Sequence, residues 1–257
     1  MKYGMIVSAL LLVICHAAAQ EHVRIGLLAD QSSFYAEITA LGVSTDGSLL
    51  AAAGDGGDIL IRDLRRNREL RLVNVSALHE NMGNVDELAV QDSLLAVLDV
   101  FSQYVVYNFR AGTVLCGGEL PIQYGGELRF SPDGSLMYLA GDYAADDRYS
   151  LRVLDIASLA YTDVPAPWRV IALTHRGNGM CAVTGNGEVL NFDAQGQLTG
   201  VDAYVLPRSA VVVDASYGSD YDAFAFLLNG QGVAWYARGN TAAPVYHETG
   251  LNGDDFV

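Results

Sequence analysis

The chain has 257 residues, 51% of them apolar and 18% charged, with 27 glycines and six prolines. That composition can bury one sizeable core, or two small ones, and excludes a disordered chain. Net charge is −15 and the single lysine is Lys2, so the surface repels nucleic acid and anionic lipid and favours basic or cationic partners.

The first nineteen residues read as an export signal. Lys2 supplies a positive start, Met5 to Cys15 an apolar run, and Ala17-Ala18-Ala19 a small-residue cleavage site before Gln20. Cleavage after Ala19 would leave residues 20–257 as one mature domain in the periplasm or outside the cell. The apolar run is too short to span a bilayer comfortably, and no other stretch could cross one, so no membrane insertion is expected. A lipoprotein reading through Cys15 is opposed by the bulky Ile14 before it. Cys116 and Cys181 then remain. Both sit inside apolar strand-like runs of different repeats, which predicts buried, inert thiols and no disulfide. Asn74-Val75-Ser76 is a glycosylation sequon that matters only in a eukaryotic host.

Next come short strand-like runs. Val23 to Leu28 is one. Ile38 to Val43, the turn Thr45-Asp46-Gly47, then Leu49 to Ala53 follow. The loop Gly54-Asp55-Gly56-Gly57-Asp58 ends that run, and Ile59 to Arg62 and Leu70 to Val75 alternate after it. Each run is too short for a helix, so four strands joined by tight turns are predicted. The glycine loop allows three readings. A phosphate cradle needs a following helix and tolerates no carboxylates beside the anion, whereas Ile59 to Asp63 is a strand. A calcium loop needs more oxygen ligands than Asp55 and Asp58 supply. A hairpin turn needs neither, because Gly and Asp tolerate positive φ.

The same pattern recurs at Leu88 to Phe109, Leu128 to Ile156, Ile171 to Gly196 and Val211 to Ala237. The first turn of each repeat falls near Asp46, Asp92, Asp133, Asn178 and Asp220. The period is roughly 40 to 46 residues, which suits the blades of a β-propeller. A four-stranded sheet of this size cannot bury both faces alone, and radial stacking covers each face with its neighbour. Burial on both faces explains runs such as Leu49-Leu50-Ala51-Ala52-Ala53 where a half-exposed strand would alternate. The expected fold is all-β, a propeller of five four-stranded blades. Val23 to Leu28 is expected to close the ring as the outer strand of the last blade, with the chain after Pro244 a tail or redundant edge. The alternative is an open or six-bladed assembly completed by a partner or a second copy.

At Ser131-Pro132-Asp133-Gly134 and Ser44-Thr45-Asp46-Gly47 the chain resembles the WD40-like (WD40/YVTN repeat-like) propeller family. Arg62-Asp63, Leu154-Asp155 and Phe192-Asp193 keep the Asp of that family's Trp-Asp pair. Tyr107-Asn108 is close, Trp235-Tyr236 keeps the aromatic, and the Gly-His pair is absent save at Leu78-His79. The resemblance implies an interaction platform. One face would carry the turns between second and third strands and the connections between blades. It places Asp55, Asp58, Asp142, Asp146, Asp147, Tyr124 and Trp168 on a face for a basic protein or peptide, with Asp142 to Tyr149 as one of the turns. Phe34 and Tyr35 belong to the same set of aromatics before first strands, and all of these rings have a competing reading as caps on the interior between blades. Arg62, Arg65, Arg66, Arg68 and Arg71 read as a charged, solvated outer edge, or as a patch for an acidic partner.

Signs of chemistry are few. His22, His79, His175 (assigned to a first turn) and His247 lack metal-site spacing, and no Gly-x-Ser-x-Gly elbow occurs. No cofactor and no metal are expected. The innermost strands offer Thr39, Glu87, Glu127, Arg129 and Asp214. Glu87, Glu127 and Asp214 at the channel mouth form the one enzyme-like or metal-like constellation, against a reading as structural polar lining. The expectation is therefore a monomeric, non-catalytic binding scaffold, with a propeller enzyme or metal binder as the alternative.

Overall fold

The computed structural model describes residues 37–120, 126–143, 148–207, 210–219, 221–237, 239–242 and 244–247. It is all-β, with five four-stranded antiparallel sheets, the architecture of a five-bladed propeller. The first blade comprises β1 (Ile38–Val43), β2 (Leu49–Gly54), β3 (Asp58–Asp63) and β4 (Arg68–Asn74). A single helical turn, α1 (Val75–Leu78), leads to β5 (Val85–Gln91), β6 (Leu94–Asp99), β7 (Gln103–Asn108) and β8 (Thr113–Glu119). The third blade holds β9 (Glu127–Phe130), β10 (Leu136–Tyr143), β11 (Arg148–Asp155) and β12 (Tyr161–Ala166). The fourth holds β13 (Val170–Arg176), β14 (Gly179–Thr184), β15 (Glu188–Phe192) and β16 (Leu198–Ala203). The fifth holds β17 (Val212–Gly218), β18 (Ala223–Leu228), β19 (Gly232–Ala237) and β20 (Val245–His247).

The turns that punctuate these strands are built by short polar side chains. In the Ser-Thr-Asp-Gly turn, Asp46 Oδ1 accepts from Ser44 Oγ at 2.7 Å, Ser48 N at 3.0 Å and Ser48 Oγ at 2.7 Å, while Ser44 Oγ accepts from Leu49 N at 2.9 Å. Ser131, Asp133, Ser135 and Leu136 repeat the arrangement at 2.7, 3.1, 2.8 and 3.0 Å. The hydrogen bond from Ser131, then that from the Ser135 amide, holds the Asp133 carboxyl below its usual range. In four of the five blades the residue at the end of the third strand caps the next turn. Asp63 accepts from Arg66 N, Asn108 from Ala111 N, Asp155 from Ser158 N and Asp193 from Gln195 N, all at 2.7 to 2.9 Å. The glycine loop is a hairpin turn: Gly57, at φ 75°, donates from its amide to the Gly54 carbonyl at 2.9 Å. Asn74, the sequon asparagine, spans the loop from outside. Its Nδ2 donates to Asp58 Oδ1 at 2.9 Å and to the Gly56 carbonyl at 3.2 Å, and its Oδ1 accepts from Ser76 N at 3.1 Å to cap α1.

The core lies between blades. One apolar cluster joins the first and second sheets through Ile59, Ile61, Leu95 and Val97. A second joins the second and third through Leu98, Val106, Met137 and Leu139. A third joins the third and fourth through Tyr138, Leu151, Ala182 and Leu190, and a fourth joins the fourth and fifth through Val183, Phe224, Phe226 and Tyr236. Among the described residues no comparable cluster joins the fifth blade to the first. The outer place of the fifth blade belongs to β20, which pairs with β19, where the sequence reading placed Val23 to Leu28. The physical reason is proximity: β20 follows β19 along the chain as the fourth strand follows the third in every other blade, so no crossover is needed. Val23 to Leu28 lies outside the described residues.

Other placements differ from expectation in detail. Asp142 belongs to β10, paired with Tyr149 of β11, because the strands run further than the apolar pattern alone suggests. His175 lies within β13, where its Nε2 meets the Phe130 carbonyl at 2.8 Å, and not in the turn after it. Both cysteines are free; Cys181 is buried and Cys116 half-buried in the outer strand β8. The arginine run decorates β3, β4 and their turn, with Arg65 bonded to Asp46 at 3.0 Å and Arg62 to Asn67 Oδ1 at 2.7 Å.

Close packing of the inner strand of the third blade tolerates no side chain at Gly126. A Cβ there would sit 1.9 Å from the Ala140 carbonyl oxygen, whereas one at Gly200 on β16 would meet nothing within 4 Å. Gly126→Ala is expected to cost at least ~2 kcal/mol and Gly200→Ala to be close to neutral in denaturant unfolding. Equal midpoints for the two variants would contradict this packing.

Candidate functional site

Two places bring functional side chains together: the face carrying the turns between second and third strands, and the central channel.

On the turn face the anchoring is rigid. Asp99, fully buried at the end of β6, accepts from Gly83 N at 2.8 Å, Phe101 N at 2.9 Å and Gln103 N at 2.8 Å. A carboxylate bonded to three amides fixes the turn, and that turn holds Phe101 in solvent, 68% exposed. Trp168 sits just before β13, 48% exposed. Its ring packs against Gly185, where an added Cβ would lie 3.2 Å away, and its centroid is 6.2 Å from that of Tyr149. Val100, Val205 and Val211 add exposed apolar surface in turns and connections at the same end of the sheets. Asp55 is exposed in the hairpin between β2 and β3. Asp58 is half-buried and its carboxylate accepts from Asn74, so it serves the blade as well as the face. Tyr124, Asp146 and Asp147, with Phe34 and Tyr35, lie outside the described residues, as does the side chain of Asp142. Phe101 was not singled out in the sequence. The available signal was an aromatic at the tip of a hairpin preceded by an Asp with free reach to the turn amides.

The channel gathers the inner strands. β1, β5, β13 and β17 each carry a β-bulge near the start, and Glu87 and Asp214 directly follow the bulges of β5 and β17. Bulges re-aim side chains at barrel and propeller rims. Glu87, Glu127, Asp214 and Arg129 lie near enough to one another to interact. Glu87 and Glu127 keep a partial opening to the channel, yet protein atoms crowd them, and loss of water dominates their titration. It pushes Glu127 up to about 7 against the pull of Arg129, with Asp214 adding to the rise. Loss of water, then the Glu127 charge, carries Glu87 well above the usual carboxylate range. Burial likewise raises Asp214, opposed by a hydrogen bond from Ala215 N at 2.7 Å and by Arg129. Thr39 stays apart, its hydroxyl directed to the Ala53 carbonyl at 3.5 Å. The neighbouring cavity, lined by Leu41, Val43, Glu87, Arg129, Phe130 and His175, measures about 50 Å³. That holds one or two waters and is far below the roughly 300 Å³ of a small-molecule pocket. Among the described residues no three of His, Cys, Asp and Glu are grouped so as to hold a metal ion.

No protein-family model and no curated protein sequence matches the chain. Among solved structures the chain is similar to one from the crystal structure of a mitotic checkpoint complex. The superposition has a TM-score of 0.62 at 13% identity and covers 82% of this chain and 64% of that one. This chain thus spans less than two thirds of its structural neighbour. At that identity the likeness speaks for the fold alone, and with the five four-stranded sheets it supports a β-propeller.

The channel carboxyls carry a pH signature. An unfolded Glu ionises near 4.5, so between that pH and about 7 the folded chain holds more protons than the unfolded one, and stability falls as pH rises. Glu127→Gln removes Glu127's share of this slope and leaves that of Glu87 and Asp214. The variant is expected to match the wild type at pH 4.5 and to exceed it by on the order of 1 to 3 kcal/mol at pH 8. Parallel stability curves for the two proteins across that range would show that Glu127 is not desolvated.

Proposed function

We propose that the chain is a non-catalytic scaffold that binds a basic protein or peptide through the face carrying Phe101, Trp168 and Asp55. One observation carries the reading: two large aromatics stand in solvent, Phe101 on a turn braced by Asp99 and Trp168 in the connection before β13 with its ring against Gly185, in a chain of net charge −15. Rigid exposed aromatics lose little entropy on binding and act as anchors, and the surrounding negative field favours a cationic partner. The reading includes Asp58 and takes in, as an expectation from sequence, Tyr124, Asp142, Asp146 and Asp147. Likeness in fold to a chain from a complex supports binding as the general role. Residues 20–257 would form one monomeric domain, exported by the segment from Lys2 to Ala19 and working in the periplasm or outside the cell.

A second reading places an enzyme or metal site at Glu87, Glu127 and Asp214. The raised titration of Glu127 favours it, since perturbed carboxyls gather at catalytic sites. The small cavity beside them favours structural lining instead.

A randomised peptide display library separates these readings. The wild type is expected to enrich Arg- and Lys-rich sequences, and Phe101→Ala combined with Trp168→Ala is expected to lower that affinity at least ~tenfold without lowering the melting temperature. Enrichment of acidic sequences, or none at all, would remove the proposal.

A further inference from the structure

An open cleft begins at Arg176, at the far end of β13 from Trp168. It has a volume of about 470 Å³ and is lined by Arg176, Cys181, Asn191, Thr199, Gly200 and Asp202, with Met180 and Phe192 at its apolar base. The four strands of the fourth blade all contribute to it.

Its polar groups are organised before any ligand arrives. Asn191 is the hub. Its Oδ1 accepts from Arg176 Nη1 and Cys181 Sγ, both at 3.2 Å, and its Nδ2 donates to Asp202 Oδ2 at 3.0 Å. Arg176 is held from three sides: Asp202 at 3.5 Å, Asp222 at 3.6 Å, and the Tyr217 ring, whose centroid is 5.5 Å from its guanidinium carbon. Tyr217 in turn donates its hydroxyl to Asp222 at 2.5 Å. Thr199 Oγ1 donates to the Asn191 carbonyl at 3.0 Å. Yet the network stays wet. The Asp202 side chain is 43% exposed and that of Arg176 34% exposed. Gly200 leaves open space where any other residue would place a side chain.

Charge and shape select the ligand class. One guanidinium faces two carboxylates, so an anion meets net repulsion. A cation competes with Arg176, which both carboxylates already hold. A neutral molecule with adjacent hydroxyls suffers neither cost: its hydroxyls donate to the exposed part of the Asp202 carboxylate and accept from Arg176. The volume lies within the range of small-ligand sites, roughly 300 to 1,000 Å³, and suits two sugar rings. We propose that this cleft is a binding site for a neutral saccharide, seated over Gly200 and held by Asp202 and Arg176, with Asn191, whose amide is saturated by protein partners, fixing both of them. It runs along the fourth blade from Arg176 to Asp202, shares no lining residue with the aromatic face and does not depend on it.

The probes are cellobiose, maltose and N,N′-diacetylchitobiose, titrated up to about 10 mM and followed by saturation-transfer NMR and calorimetry. At least one is expected to bind saturably. Gly200→Leu fills the open space without touching the network, and Asp202→Ala removes the acceptor; each should weaken binding by about tenfold or more, one lost hydrogen-bonded contact to a charged group. Melting curves identify a variant that fails to fold, and Gly200→Leu carries the test if Asp202→Ala does. Absence of binding by all three sugars overturns the proposal, as does wild-type affinity in a folded Gly200→Leu variant. Preference for a sulfated disaccharide over its neutral parent overturns the ligand class.

Discussion

Every feature of this molecule depends on one constraint: a small antiparallel sheet with two apolar faces has no stable existence alone in water. Five such sheets, each contributing buried residues to a neighbour, remove that exposure together. The second strands show it most clearly. Ala51, Ala52 and Ala53 are all buried, as are Leu95, Ala96, Val97 and Leu98, and Ala182 and Val183. Alternation disappears because there is no wet side. Polarity is displaced to the ends of the strands, into turns, channel and outer edges, and each place where function can reside lies in one of those.

The turns do more than connect. Asp46 and Asp133 tie the first turn to the second strand, and Asp63, Asn108, Asp155 and Asp193 tie the third strand to the fourth. These short polar residues were visible as a degenerate motif because the geometry they satisfy recurs at four blades after the third strand and at two in the first turn. Asp99 uses the same chemistry at the opposite end, where it braces Phe101. Rigidity at the ring's rim is thus a by-product of how the blades are closed, and it gives exposed aromatics there the preorganisation that binding needs.

Much of the fold was legible because repeat period and strand length are local signals. The turn positions, the hairpin nature of Gly54 to Asp58 and the membership of Glu87, Glu127 and Asp214 in inner strands follow from them. Ring closure did not, since the choice between an N-terminal and a C-terminal fourth strand for the last blade depends on pairing that no local pattern encodes. Asp142 was misplaced for a related reason: strand ends set by backbone pairing outrun the apolar pattern. The cleft around Asn191 was invisible. Arg176, Asn191 and Asp202 are spread over three strands of the fourth sheet and Asp222 lies in a turn of the fifth, and the Arg176–Asp222 contact exists once those sheets stack. Phe101 failed to stand out because an aromatic in an apolar repeat is ordinarily a core residue.

Hydrogen exchange on a Tyr138→Ala variant tests mutual shielding most directly. Tyr138 belongs to the third sheet, is fully buried, and meets Phe192 of the fourth at a ring distance of 5.6 Å. If each sheet is held by its neighbour, amides of β14 and β15 should lose protection along with those of β10 and β11. Loss confined to the third sheet, with the fourth as protected as before, would show that the blades stand on their own and that the account is wrong.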